Sequence, residues 1–501
     1  MKFFLLPISI LFIFNFAFTQ TQGIAYTAVG KGVATTFLTD YHCLGINTSA
    51  LGWGTGYDKY KKTIGGFEMS GGLYSDAFDS KKLKSLAKTI YSQIKNDSTT
   101  KAIDWPAQKE AAAQYAETGL TIDAQYNWGG FAYQGKRFGG IAFNVTENYS
   151  WYSKLNSQLT DIVFRGKLAS YFDSLTIVVG TDTSKIANTE NLSQDTLDNV
   201  IQGNISLPLN LSELSKGSTI RMLWNRSYNF GYGRKVFGKD STFAIYAGIG
   251  GRFIQSMAMF QMLSDDNGLI LSSSITPAFK INYGDVANTN VSSFLKYSGG
   301  IPPAVGNGYG IDLSTSVIIG GKLKIAAAVN NIGSVEYTRN VYSVKDTLVG
   351  SISVNGLDLD NENFMDGVQQ LLQNGSILTL IGVEKTKVKN PANFRIGASF
   401  HPFKQLSFGF DFVAPFDSQN PGSIQNPVIS FGGDIRPVKW LQISVGYLGG
   451  GIYKTNMPLG INFIFREGKY EMGIASRDAL TFFTTKSNTV SGAMGVARIR
   501  F

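Results

Sequence analysis

The feature that most constrains this chain is a two-residue rhythm that begins near residue 118 and recurs in segments of about ten residues. Leu120, Ile122, Ala124, Tyr126 and Trp128 alternate with Thr121, Asp123, Gln125 and Asn127. Ile220, Met222, Trp224, Tyr228, Phe230 and Tyr232 share one parity, opposite Arg221, Asn225, Ser227 and Asn229. Leu406, Phe408, Phe410 and Phe412 oppose Ser407, Gly409 and Asp411, and Ile429, Phe431 and Ile435 oppose Ser430, Gly432 and Asp434. Successive side chains on a strand point to opposite faces, so each segment has one apolar face and one face of polar residues or glycine.

A soluble sandwich shows the same local pattern, and the connections separate the two. Short turns fall at Gly135-Lys136, Gly233 to Asp240, Gly320 to Lys322, His401 to Gln405, Arg436 to Lys439 and Arg466 to Gly468. Long connections cover 76–117, 149–217, 263–308, 337–390, 414–425, 450–456 and 478–490. Short turns at one end and long loops at the other are the signature of an outer-membrane barrel. Six turns and seven loops imply about fourteen strands, with both chain ends on the periplasmic side. The stretch Leu269 to Asn282 would reverse the direction of every later strand, so it is placed in an extracellular excursion. The fold class read here is all-β: a transmembrane antiparallel barrel with helical extracellular loops and an N-terminal hatch.

The ends of the chain fit that reading. Met1-Lys2 followed by the apolar stretch Phe3 to Phe18 has the layout of a signal peptide, assigned to residues 1–20 and cleaved near Thr19 or Gln20. An uncleaved anchor is the alternative, since the stretch approaches spanning length. Past it no run of eighteen apolar residues occurs. Phe501 closes an alternation through Ile499, Ala497 and Gly495 and is assigned as an assembly signal, which turns Arg498 and Arg500 toward the lumen or the rim. Trp440, Tyr470 and Phe501 are expected in the lower aromatic girdle, Phe412 and Tyr447 in the upper one.

Residues 21–56 precede the first strand (about 63–75) and are rich in small residues with little periodicity, which suits a packed plug, with the barrel and its loops occupying 57–501. Asp40 followed by Asn47-Thr48-Ser49-Ala50-Leu51, then Gly310-Ile311-Asp312-Leu313 before the turn at Gly320, then Ala328-Val329-Asn330-Asn331-Ile332-Gly333, carry a family resemblance. The chain resembles the FadL-like outer-membrane transporters, the long-chain fatty-acid transporter superfamily, and is similar in particular to the branch found beside type IX secretion. Thr48 and Ser49 stand where the family's hatch turn carries proline and alanine. The resemblance implies a hatch formed around Asp40, Asn47, Ser49 and Leu51. It also implies passive uptake of a hydrophobic ligand and an outer apolar groove built from loop helices. Ser80 is a possible cap for a helix carrying Leu83, Leu86 and Ile90; a second helix follows Asp104, and a third near 360–373 carries Phe364, Val368 and Leu372. These six side chains are the candidate groove; a solubilising cap is the plainer reading. Lys81, Lys82, Lys84 and Lys88 could meet lipopolysaccharide phosphates beside the outer-membrane lipid, or simply face water.

The candidate lumen charges are Glu68, Asp123, Asp312, Arg395, Asp411, Asp434, Glu471 and Arg477. Buried charges need partners or water, so these either fasten the hatch to the wall or line a polar route past it. Two histidines and one cysteine among 501 residues leave little for metal or covalent chemistry, and no cofactor is expected. His42 falls in the hatch and His401 in a short turn, neither placed for a serine–histidine pair, so an enzyme is not expected. A formal charge of +9 without a basic run bearing stacking aromatics argues against nucleic acid. Two function classes remain: a passive channel for hydrophobic small molecules, or a barrel scaffold that binds a secretion-system or surface-assembly protein through its loops.

Overall fold

A computed structural model describes residues 25–75, 77–84, 105–116, 118–135, 138–266, 268–279, 281, 283, 299–357, 377–451 and 453–501. The signal peptide, Leu86, Ile90, Phe364, Val368 and Leu372 lie outside the described residues. The alternating segments become a closed antiparallel barrel of 14 strands. Strand β1 runs Lys62–Gly66 and resumes as Glu68–Ser75, followed by β2 (Gly119–Gly135), β3 (Gly139–Lys154), β4 (Thr219–Lys239) and β5 (Phe243–Asp265). Then come β6 (Gly306–Ile319), β7 (Leu323–Tyr337), β8 (Asn393–Phe403), β9 (Leu406–Pro415) and β10 (Val428–Val438). The last four are β11 (Leu441–Gly450), β12 (Leu459–Phe465), β13 (Tyr470–Ser476) and β14 (Thr489–Arg500). Closure is direct: β14 pairs antiparallel with β1, as in Thr63↔Arg500 and Met69↔Met494.

The two faces separate as the rhythm requires. Phe230, Ile249, Phe253, Phe408, Phe431 and Tyr447 are exposed on the outside, while Asn229, Asp411, Ser430 and Ser444 are buried inside. Such an outer surface suits hydrocarbon, and the strands leave no lipid-facing sheet edge. Among the described residues no helix is long and apolar enough to cross a membrane. Trp440, Phe463, Phe465 and Tyr470 form a stacked series with centroids 6.1 to 6.4 Å apart near the short-turn end.

The excursion sits where direction counting puts it. Gly268–Ile275 pairs with the upper part of β5 and with Val341–Lys345, whereas β6 takes over β5 from Ser256 downward. The strand directions after it are therefore preserved. Three details differ from the sequence reading, the first being that the turn placed at Arg436 to Lys439 is Lys439-Trp440. The turn placed at Gly233 to Asp240 is Asp240 to Thr242, because both flanking strands run further toward the periplasmic side. His401 lies within β8, not in a turn.

The alternation slips coherently at one level of the wall. β2 carries a bulge between Asn127 and Gly129, β13 and β14 shift between Glu471 and Gly473, and β1 breaks at Phe67, whose φ is 55°. A left-handed phenylalanine is costly, of order 1–3 kcal/mol, and persists only where its surroundings hold it. Below the slip the faces exchange parity. Gly495 looks inward against Tyr26 of the hatch, while Arg498 and Arg500 are also buried inside and Val496 is exposed. The sequence reading had Gly495 and Ala497 on one face with Ile499 and Phe501; Ala497 keeps that face, and the dislocation turns Gly495 inward.

At the long-loop end the connections build their own structure. Helices Trp105–Tyr115 and Ser157–Arg165 meet through Tyr115 and Phe164, 5.4 Å apart. Asn156 caps the second helix through Leu159 N–H. In the first loop Asp79 accepts from Lys82 N–H, while the Ser80 hydroxyl, expected as the cap, donates instead to the carbonyls of Thr484 and Thr485. A four-stranded sheet of Ser174–Val179, Asp182–Ala187, Val200–Asn204 and Ser351–Ile352 was not anticipated. Its Leu175 and Val200 pack with Trp105 and Leu168 in a separate apolar core.

Candidate functional site: a docked hatch beneath a polar chamber

The hatch lies inside the barrel because the wall makes room for it with glycine. Added methyl groups at Gly65 and Gly130 would strike the Tyr41 ring. At Gly432 and Gly446 they would strike the Lys31 carbonyl, at Gly231 the Leu44, Thr48 and Leu51 side chains, and at Gly248 the Ser49 backbone. These glycines are spread around the circumference on lumen-facing positions, so the hatch backbone touches the wall on several sides. Three short helical turns shape it: Tyr26–Val29, Tyr41–Cys43 and Thr48–Trp53.

Between those contacts the hatch is held by buried charge. Arg498 of β14 bonds Asp40 Oδ2 through Nε and Nη2 at 2.9 and 2.5 Å and reaches Glu471 Oε2 at 3.1 Å, which Arg500 also contacts at 2.6 Å. Glu68 accepts from the Tyr41 hydroxyl at 2.8 Å and from Asn127 at 2.7 Å, and its Oε2 lies 2.8 Å from His42 Nε2. Asp411 of β9 accepts from Ala34 N–H, Thr35 N–H and the Thr35 hydroxyl at 2.8 to 2.9 Å. Asp434 of β10 binds Lys31 Nζ at 2.6 Å and accepts from Ser444. Each of these carboxylates is at most 10% exposed, where an unpaired charge would be very unfavourable. The slip in the wall delivers Glu68, Asn127, Glu471 and Arg498 to one level, facing Asp40-Tyr41-His42.

The polar turn completes the docking. Asn47 donates to the Thr35 carbonyl at 2.8 Å and accepts from the Ser49 hydroxyl at 2.6 Å. Ser49 Oγ lies 2.8 Å from Ser316 Oγ of β6, and its N–H donates to Ser314. Leu51 is fully buried, and its carbonyl accepts from Gln134 of β2 at 3.1 Å. All four hatch residues singled out in the sequence therefore touch either the wall or one another.

Above the hatch is a cavity of about 230 Å³. Its lower boundary is His42, Leu44, Gly45 and Ile46; Asn144, Asn225, Asn229 and Arg252 are in its wall, with Leu223, Ile254, Ile424 and Val428 also facing it. Asp123, Arg395 and Arg477 line this chamber too, and each has a partner. Asp312 is buried beside it, gripped by Arg252 Nη2 at 2.7 Å to both oxygens and accepting from Asn331 N–H.

The eight candidate lumen charges thus divide. Glu68, Asp411, Asp434 and Glu471 serve the hatch, while Asp123, Asp312, Arg395 and Arg477 sit at or beside the chamber. Sequence reasoning missed Lys31, His42 and Arg252 as partners. Arg252 was within reach, because it shares lumen parity with Gly250 in an otherwise apolar run. It also missed a polar pair on the outer face: Glu147 of β3 lies opposite Arg226 of β4 and bonds it, at the parity of Tyr149, Trp224 and Tyr228. Leu83, the one described member of the candidate groove, is completely buried in the extracellular core with Phe78, Tyr115 and Phe164, so it lines no open surface. Among the described residues no cluster of three metal-ligating side chains occurs.

Solved structures similar to the chain include the toluene transporter TodX of Pseudomonas putida, at 11% identity and a TM-score of 0.39, covering 95% of this chain and 98% of that one. The monoaromatic hydrocarbon channel CymD matches at 11% identity with a TM-score of 0.39, covering 95% and 96%. A Pseudomonas aeruginosa FadL homologue matches at 9% identity with a TM-score of 0.37, covering 97% of both. No curated protein matches the chain. Residues 172–469, more than half of the sequence and reaching from the extracellular module to the turn after β12, match the family model described as a family of unknown function, DUF5723, and the chain belongs to that family.

Proposed function

We propose that the protein is a passive channel of the outer membrane for small, largely hydrophobic molecules, gated by movement of the hatch. The observation that carries this reading is the form of the obstruction. The lower lumen is closed by a separate segment, residues 25–56, held by hydrogen bonds and ion pairs that can exchange, and a cavity lies directly above it. A barrel that served only as a scaffold could fill its lumen with side chains from its own strands. The FadL-like hatch pattern read in the sequence supports the same conclusion.

The test is initial uptake of labelled 1-octanol by cells with an intact lipopolysaccharide leaflet, with and without the full chain. Faster uptake that saturates with concentration supports the channel; identical uptake removes it.

A second reading has its own observation. The extracellular loops form a packed module with a four-stranded sheet, and Val179, Ile201, Leu207 and Leu348 are exposed on it. A surface of that kind suits a protein partner, including an accessory role in secretion of the type IX kind. Native extraction separates the two: a stoichiometric protein partner without any bound apolar ligand favours the scaffold.

A further inference from the structure

The chamber above the hatch is a poor site for a pure hydrocarbon. Among the described residues, Asn225 Oδ1, Asn229 Oδ1, Asn331 Oδ1, Asn393 Oδ1 and Arg252 Nε are buried and have no hydrogen-bond partner, and all five side chains border this one cavity. Asn225 is 7% exposed and Asn229 6%, so bulk water does not reach them freely. A buried polar group left without a partner costs about 1–3 kcal/mol, and native proteins rarely tolerate several on one wall unless water or a ligand satisfies them. The charged neighbours are already engaged: Arg252 Nη2 with Asp312, and Asp123, Arg395 and Arg477 with partners of their own. What remains on offer is a set of amides. Facing the same space are the apolar side chains of Leu223, Ile254 and Val428.

We infer that the chamber binds an uncharged amphipathic small molecule, in which an amide or hydroxyl group meets the asparagine wall and a compact apolar body rests on Leu223, Ile254 and Val428. This rests on the channel reading and narrows its substrate class. A hydrocarbon would displace water from the asparagines and return nothing. An anion would find its cationic partners occupied.

The probes are benzamide and toluene, which share a ring and differ in one amide. Calorimetric titration of the full chain in nanodiscs, against empty nanodiscs, should give saturable binding of benzamide and none of toluene. The Asn225→Leu, Asn229→Leu double variant should weaken benzamide at least tenfold, with barrel folding verified by heat-modifiable gel mobility. Asn393→Leu, at the half-buried edge of the cavity, should act in the same direction and guards against misfolding of the double variant. Saturable toluene binding without benzamide binding, loss of neither in the variants, or saturable binding of neither would overturn the inference. Octanol uptake is read separately. If uptake persists while the benzamide preference fails, the chamber assignment falls and the channel stands; the opposite outcome removes the channel alone.

Discussion

The lower lumen matches its buried carboxylates with donors, whereas the upper lumen gathers several unpaired amide oxygens around one cavity; single unpaired neutral groups such as Asn127 Oδ1 and Thr36 Oγ1 occur at the hatch as well. At the hatch, the carboxylates of Asp40, Glu68, Asp411, Asp434 and Glu471 all have a donor within 3.1 Å at a hatch or wall group. In the chamber above, the amide oxygens of Asn225 and Asn229 on β4 and of Asn393 on β8 are left without partners. β3 and β4 serve both zones, so the difference lies in side chains and not in the scaffold. Charge that is matched fastens; neutral polarity that is unmatched waits for something to bind.

The largest expected effect comes from breaking the matched zone. Arg498→Ala removes the cationic partner of the buried Asp40 carboxylate, while Glu471 keeps Arg500, a loss of about 3–5 kcal/mol by analogy with other buried pairs. Hatch cleavage by an added protease should rise by orders of magnitude while the barrel stays intact. Protection equal to the wild type would show that Arg498 does not hold the hatch. Glu68→Ala is next, since Tyr41, His42 and Asn127 lose one acceptor together, at about 1–3 kcal/mol for each buried group stranded; the same protease measurement reads it. Gly432→Ala tests the steric side. Its methyl group meets the Lys31 carbonyl, so either the strand or the hatch must shift, at roughly 1–3 kcal/mol, and melting temperature should fall. Asn225→Leu should be nearly neutral or stabilising in the same melt, because it removes an unsatisfied amide without breaking a bond. A clear destabilisation would mean the amide is satisfied after all and would erase the contrast between the zones. Smallest is Lys59→Ala: its pair with Glu467 is 3.9 Å long and largely exposed, worth at most about 1 kcal/mol, and hatch protection should not change.

How much of this was legible in the sequence follows the same division. Strand count, direction and the existence of the excursion could be read because a wall between hydrocarbon and lumen imposes alternation, and alternation survives in a single sequence; its extent could not, since the stretch read as Leu269 to Asn282 is strand only over Gly268–Ile275. It failed where the wall slips: Gly495 and Arg498 face the same side although their positions differ in parity, and only the neighbouring shifts at Glu471 and Asn127 explain why. Candidate lumen carboxylates were readable as charges on the wrong face for lipid. Their partners were not, since Asp40 meets Arg498 across 458 residues of chain and the hatch has no periodicity to fix its path. The four-stranded extracellular sheet escaped for a related reason: short strands in a polar loop, packed on Trp105 and Leu168 from other segments, carry little local pattern. Arg226, at outward parity but mostly buried against Glu147, was passed over inside an apolar run because that partner lies on the neighbouring strand.

The most direct test of hatch gating is a reversible tether. The Ser49 and Ser316 hydroxyl oxygens are 2.8 Å apart, one on the hatch and one on β6, so a Ser49→Cys, Ser316→Cys pair places two sulfurs within bonding reach; Cys43, buried in the hatch with Ala50 and Leu51, is changed to Ala in the same background so that one disulfide can form. Uptake of labelled 1-octanol is then measured in the oxidised and reduced states of the same preparation. Gating by the hatch requires uptake to stop on oxidation and to return with reductant. Equal uptake in both states, with the disulfide verified, would show that solute passes without hatch movement.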